Sequence, residues 1–167
     1  AERAGSVEDL PDTVTGSTRN VRSIVREPVG VVGAITPWNI PVDIPMAKCG
    51  GALAAGNTVV LKPAPDTPWS IGIIARLVAE ETDIPPGVLN IVTSSDHSLG
   101  AALTADPRVD AGSFTGSTAT GLKVMAAAAE GIKRVHLELG GKSPNIVLDD
   151  ADFEQTVPRA AAMATFN

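Results

Sequence analysis

The 167 residues contain no tyrosine, and aromatic side chains make up only 3% of them. Positive charge is also short: 13 Lys and Arg stand against 19 Asp and Glu, for a net charge of −6. Nucleic-acid binding needs a basic track and stacking rings, and this chain has neither, so that class of partner is excluded. There is one cysteine. No internal disulfide is possible, and a reducing, cytoplasmic setting is expected. The two histidines, His97 and His136, are isolated, and no spacing resembles a zinc site, so no metal is expected. No apolar run approaches the ~18 residues of a membrane span. Ala1–Leu10 is charged and has no apolar centre, so neither a signal peptide nor a membrane partner is expected.

What is present is a globular composition, 44% hydrophobic and 19% charged, of a length that suits one domain, or one and a small piece of another. The 16 glycines and 13 prolines are scattered at breaks between apolar segments. That distribution reads as many short turns in a compact fold.

The first 28 residues differ from the rest. Ala1–Thr18 is polar without helical or strand periodicity, and Asn20–Arg26 has the weak alternation of an exposed strand. Val29–Ile35 is a nearly continuous apolar run, as for a strand buried on both faces. From there strands and helices alternate. Helices are predicted over 42–55, Pro68–Thr82, Ser98–Thr104, Ser117–Glu130 and Asp152–Thr165. Strands are predicted over Asn57–Leu61, Val88–Val92, Val109–Phe114, Arg134–Leu139 and Asn145–Leu148. In the second helix Thr67 is placed to cap, Pro68 sits at the first position, and Ile71, Ile74, Ala75 and Val78 form one stripe. Repeated strand–helix–strand units argue for an α/β fold, a Rossmann-like, mostly parallel sheet with flanking helices. Ligands of such sheets sit beyond the carboxyl ends of the strands.

The strand ends therefore carry the candidate chemistry. Lys62-Pro63 leaves one strand, where a lysine suits phosphate or ribose; the plain alternative is a solvated lysine. Thr115-Gly116-Ser117-Thr118 leads into a helix whose free N–H groups suit a pyrophosphate, or which is simply capped. The spacing Gly116 to Gly121 is not the usual dinucleotide fingerprint, because position 118 is Thr. Gly141-Lys142-Ser143 imitates the end of a phosphate loop, but the first glycine would fall on His136. Gly140-Gly141 is read instead as letting the backbone pass close to something. Glu138 closes an apolar strand, where partial desolvation would raise its pKa toward that of a general base, unless it is an ordinary strand-end glutamate. Asn39, in Thr36-Pro37-Trp38-Asn39, is either an oxyanion-binding amide or a helix N-cap. Cys49 lies among small apolar residues and reads as inert and buried.

Six stretches in order resemble the NAD(P)-dependent aldehyde dehydrogenases: Glu27-Pro28-Val29-Gly30-Val31, Thr36-Pro37-Trp38-Asn39, Gly56 through Pro63, Pro86 through Asn90, Phe114 through Thr118, and Glu138 through Pro144. The resemblance covers about Arg26 to Asn167. It implies oxidation of an aldehyde to a carboxylic acid with NAD or NADP through a cysteine thiohemiacetal. It implies that Asn39 is the oxyanion amide, Glu138 the base that activates the deacylating water, and Lys48 a neighbour of that glutamate. Trp38 and Lys62 are implied on the adenosine side, with Lys62 on the ribose hydroxyls, Ser117 at the pyrophosphate, and Leu139 and Gly140 near the nicotinamide; Thr36, Pro37 and Gly116 are implied to bind the cofactor as well. The segments implied are 1–28 as part of an oligomerisation or linker segment, 29–139 as the dinucleotide-binding domain, and 140–167 as the opening of a catalytic domain. The parent is implied to be a homo-oligomer, dimer or tetramer.

The sequence also departs from the pattern. The family nucleophile follows a Phe-Asn type stretch by several residues, and this chain stops at Phe166-Asn167. A fragment without turnover, binding dinucleotide weakly at best and prone to self-association, is therefore expected. A glutamate that disfavours a 2′-phosphate in many members is replaced by Pro65, followed by Asp66, which leaves NAD against NADP open. Ser94-Ser95 stands where members often have glycine near the adenine. Two other readings stay open: a CoA-acylating semialdehyde dehydrogenase, and a non-catalytic dinucleotide-binding module.

Overall fold

The computed structural model describes residues 5–165. Phe166 and Asn167, which carry the resemblance to the nucleophile segment, lie outside the described residues, as do residues 1–4.

Two strands, β1 (Val7–Thr15) and β2 (Thr18–Val25), form an antiparallel hairpin. Its turn is Gly16-Ser17, and Gly16 takes φ +64° at the first turn position, which favours glycine. β2 matches the expected exposed strand. β1 corrects the expectation that Ala1–Thr18 is irregular. Nearly every residue of the hairpin is exposed, so no apolar alternation marks the first strand in sequence. Pro11 is tolerated because it sits where the register shifts, with Pro11 and Asp12 set against Val21 alone.

The rest of the chain builds one parallel sheet from β3 (Val31–Ile35), β4 (Thr58–Lys62), β5 (Leu89–Ile91), β6 (Ala111–Gly116) and β7 (Arg134–Leu139). The spatial order is β5-β4-β3-β6-β7, with every pair parallel. The expected α/β fold with a Rossmann-like parallel sheet and flanking helices is what is found. The chain runs outward from β3 to β5 and then returns to place β6 on the other side of β3. The switch point of the topology thus falls between β3 and β6.

The crossovers are α1 (Asp43–Ala54), α2 (Pro68–Glu81), α3 (Ser98–Ala105) and α4 (Thr118–Ala129), and α5 (Phe153–Thr165) follows β7. On one face α1 packs against β3 and β4, and α2 against β5. Val32, Ala34, Val59 and Leu61 point there and close a core with Cys49 and Ile71. The helical stripe of α2 is as read: Ile71 is buried and Ile74, Ala75 and Val78 are half-buried. Thr67 occupies the N-cap but makes no side-chain bond there, which corrects its expected role. On the other face α3 contacts β3, and α4 contacts β6 and β7. Glycines set this spacing: a Cβ at Gly33 would lie 3.2 Å from Leu103 and Val109, and one at Gly121 would lie 2.5 Å from Leu139.

The strand Asn145–Leu148 does not form. Residues 140–148 have no regular structure, and Ile146 and Leu148 are exposed. Ile146-Val147-Leu148 is an apolar run, but no strand among the described residues pairs with it, and a lone strand leaves its ladder groups unmet. At the start of α5, Asp152 accepts from the Gln155 backbone N–H at 3.3 Å and from its side-chain amide at 2.7 Å, and so caps the helix.

Candidate active site

The carboxyl edge of the sheet gathers most of the sequence-predicted residues. The register places Lys62 beside Ile35, Ile35 beside Phe114, Thr115 beside Glu138 and Gly116 beside Leu139. Thr36, Pro37, Trp38 and Asn39 therefore leave β3 between the ends of β4 and β6. Successive strand residues face opposite ways, so the edge has two chemically distinct sides.

On the α3–α4 side lie Lys62 and the start of α4. Lys62 is 5% exposed. Its Nζ donates to the Pro63 carbonyl at 3.3 Å, and its stem runs within 4 Å of where a Cβ on Gly100 would sit. The plain reading of a solvated lysine is thus wrong: burial of the aliphatic stem aims the ammonium along the strand end. Thr36 is 4% exposed, donates its N–H to the Lys62 carbonyl at 3.2 Å, and leaves its Oγ1 without a hydrogen-bond partner. A buried hydroxyl without a partner costs free energy until a ligand or water meets it. Ser117 is the N-cap of α4; its Oγ accepts from the Thr120 N–H at 3.2 Å. Gly116 is kept bare by Phe114, whose ring would stand 2.6 Å from a Cβ.

On the α1 side, Lys48 reaches across from α1 and donates to the Ser113 hydroxyl at 2.8 Å. Burial pushes the Lys48 ammonium below the usual lysine range, while the Glu138 carboxylate and the Cys49 thiolate form oppose that shift. Cys49, next in sequence, is 2% exposed, and its burial pushes the thiol up to about 11. A thiol so protonated is a poor nucleophile, as its sequence context implies. Arg134, His136 and Glu138, on one face of β7, are exposed among the described residues.

Several expectations need correction. Glu138 is exposed, so the desolvation expected of it is not found. A Cβ added at Gly140 or Gly141 would meet nothing within 4 Å, so no close backbone approach explains them among the described residues. The N-cap of α1 is Val42, so Asn39 is not that cap; it is exposed, as is Trp38. Among the described residues no cluster of His, Cys, Asp or Glu is fit to hold a metal ion, and no helix is long and apolar enough to cross a membrane.

Three residues escape a reading of the sequence alone. Ser113 is invisible as a partner of Lys48 until the register is known. Asn57 reads as the first residue of a strand, yet its Oδ1 accepts from the N–H groups of Val29 and Gly30 at 2.7 and 3.0 Å, and its Nδ2 donates to the Ala52 carbonyl at 3.0 Å. Asp110 accepts from the Val31 N–H at 2.8 Å. These side-chain bonds replace ladder bonds and delay the starts of β3 and β6 by two residues each.

Comparison with known proteins places this architecture in a class. The model of the aldehyde dehydrogenase family matches residues 2–167, and the chain belongs to that family. Similar relatives include 3-succinoylsemialdehyde-pyridine dehydrogenase of a Pseudomonas species, 51% identical over 152 residues, which are 91% of this chain and 31% of that one. Succinate-semialdehyde dehydrogenase [NADP(+)] of Escherichia coli is 49% identical over 90% of this chain and 31% of its own. Among solved structures, the NAD+ complex of an aldehyde dehydrogenase from Bacillus cereus superposes with a TM-score of 0.84 at 44% identity, over 92% of this chain and 30% of that one. An aldehyde dehydrogenase from Pseudomonas syringae, solved with NAD+ and octanal, has a TM-score of 0.79 at 49% identity, over 89% and 30%. The chain thus spans about three-tenths of the length of the relatives it matches.

Proposed function

We propose that these residues supply the cofactor edge and the general base of an enzyme that oxidises an aldehyde to a carboxylic acid with NAD or NADP. The observation that carries this is the union, on one sheet edge, of buried Lys62, the unpartnered Thr36 hydroxyl, the α4 N-terminus and Glu138. The relatives named above supply the precedent, with NAD+ in two of the solved structures and NADP(+) in the name of one relative.

The residues fit a dinucleotide. Lys62 offers a cation toward a ribose, with Thr36, Pro37 and Trp38 leaving β3 beside it. Gly116 and Ser117, at the start of α4, offer backbone N–H groups and the positive end of the helix toward a pyrophosphate. Leu139 and Gly140 lie toward the reacting ring. When bound, the cofactor accepts the hydride that leaves the aldehyde carbon. The chain's own residues do the rest assigned here. Asn39 donates its amide N–H to the carbonyl oxygen as negative charge gathers on it. Glu138 takes a proton from the water that releases the acid. Lys48, near Glu138, keeps a positive charge beside that carboxylate. The nucleophilic thiol is not among these roles, because Cys49 is closed off in the core. The segments read as 1–28, 29–139 and 140–167, a homo-oligomeric state to which the hairpin contributes, and a cytoplasmic setting belong to the same proposal.

The test is reduced-cofactor formation, with aldehyde and NAD+ or NADP+, by the full-length protein that carries these residues together with the nucleophile. Glu138→Gln is expected to release about one equivalent of reduced cofactor per site and then slow at least ~100-fold, because acyl transfer to water lacks its base. Steady turnover of Glu138→Gln at the wild-type rate would contradict the assignment. Turnover that needs CoA in place of water would move the reaction to the acylating class.

A further inference from the structure

We propose that Ser113 is a positioning residue: its hydroxyl, on the β6 face shared with Glu138, fixes the Lys48 ammonium where it serves that carboxylate. The proposal rests on the reading of Glu138 as the base.

Three placements carry it. First, Lys48 projects from α1, whose main contacts with the sheet are to β3 and β4. Its four-carbon stem must therefore cross a strand to reach Glu138, and such a stem is conformationally free unless its end is held. Second, the end is held. The bond from Nζ to Ser113 Oγ is 2.8 Å long and part-buried, within the range of a charge-assisted bond. Third, the register puts the holder beside the base. Ser113 pairs with His136, and Thr115 pairs with Glu138. Residues two apart share a strand face, so Ser113 and Glu138 are diagonal neighbours on the same face of the sheet.

The charges around Lys48 are few. β7 presents Arg134, His136 and Glu138, and α1 itself contributes Cys49, next in sequence, and Asp43 in its first turn. β3 and β6 carry no titratable side chain, and Lys62 of β4 lies on the opposite side, toward Gly100. Glu138 is thus the anion available to the ammonium from the sheet. An alanine at position 113 would fill the strand equally well, but the stem would lose its anchor. The ammonium would then spend its time in solvent, away from the base.

The experiment is a double-mutant cycle on the titration of Lys48 in the intact protein. Competitive acetylation with acetic anhydride across the alkaline range, read by mass spectrometry of the Lys48 peptide, gives the midpoint. In the wild type, Glu138→Gln removes the carboxylate that keeps the proton on, and the midpoint is expected to fall by about half a unit or more. In the Ser113→Ala background the same change is expected to move it little. Ser113→Thr, which keeps the hydroxyl, is expected to retain the full shift. Ser113→Cys, close in volume but a weak acceptor, is a second probe, expected to behave like alanine. An equal shift with and without the Ser113 hydroxyl would overturn the proposal, as would the absence of any shift in the wild type. The readout needs no turnover. A protein that oxidises no aldehyde would defeat the functional reading and leave the Ser113 result standing, whereas turnover with equal shifts would defeat the Ser113 assignment alone.

Discussion

Asn57 shows how much one side chain does at the base of the sheet. It is nearly closed to solvent and makes three hydrogen bonds that join the start of β3 to the end of α1. Asn57→Ala leaves the Val29 and Gly30 N–H groups unmet, while the Ala52 carbonyl keeps the backbone N–H of residue 57, and is expected to cost about 2 kcal/mol in denaturant unfolding. An unchanged midpoint would show that water replaces the amide. Gly30, which shares that bond, takes φ +119°, and a Cβ there would stand on the Asp110 carboxylate that holds Val31. Gly30→Ala is expected to cost at least as much, because neither backbone nor carboxylate is free to give way. Ile132 is the converse. It is a β-branched residue at φ 52° and 93% exposed, so it has strain and little packing to offset it. Ile132→Asn is expected to raise stability by about 1 kcal/mol, checked by the same unfolding curve. Cys49 yields a kinetic expectation with a pH sign. Burial pushes its native thiol up to about 11, from an ordinary value near 9. The native state therefore holds the proton between these values, and stability falls as pH rises through that window. The fall attributable to the thiol should vanish in Cys49→Ala, and native Cys49 should react with thiol reagents far more slowly than the unfolded chain at pH 8.

At the scale of elements, periodicity decides what is legible. The five strands of the parallel sheet and α2 follow from apolar runs and a stripe, because burial writes itself into composition; α5, by contrast, buries no side chain among the described residues. Their ends are less legible. Side chains of Asn57 and Asp110 take over backbone groups that strands would otherwise pair, and nothing local announces that. β1 is hidden for the opposite reason: a strand exposed on both faces has no apolar face to reveal it. The strand read at Asn145–Leu148 fails because pairing is a property of two segments and only one is in reach. For the candidate site, residue type and strand-end position point to Lys62, Ser117 and Glu138, and the family resemblance assigns their roles. Burial of Lys62 and exposure of Glu138 depend on neighbours far along the chain, which no local pattern contains. The contact of α4 with β7 gives an element-scale test. Gly121→Val would drive a branched side chain into Leu139. A loss of about 2 kcal/mol is expected, with protection of β7 amides from hydrogen exchange reduced before that of β3.

Across the whole molecule two bodies differ in how they are held. The hairpin of β1 and β2 has extensive contacts only within itself, whereas the sheet and its helices share a core. A two-stranded hairpin is marginal alone, so limited proteolysis is expected to cut first between residues 26 and 30, and removal of the hairpin should leave the unfolding midpoint of the remainder within error. A lowered midpoint would show that the hairpin supports the sheet. The central claim is that the carboxyl edge of this sheet receives a dinucleotide. Trp38 is exposed on that edge, and the other tryptophan, Trp69, is exposed at the start of α2. Titrating the Trp69→Phe variant with NAD+ and NADP+ therefore reports on Trp38 alone. Saturable quenching, weakened at least ~10-fold by Lys62→Ala through loss of a charge-assisted contact, is the expected result. An unquenched Trp38, or quenching indifferent to Lys62, would contradict the account.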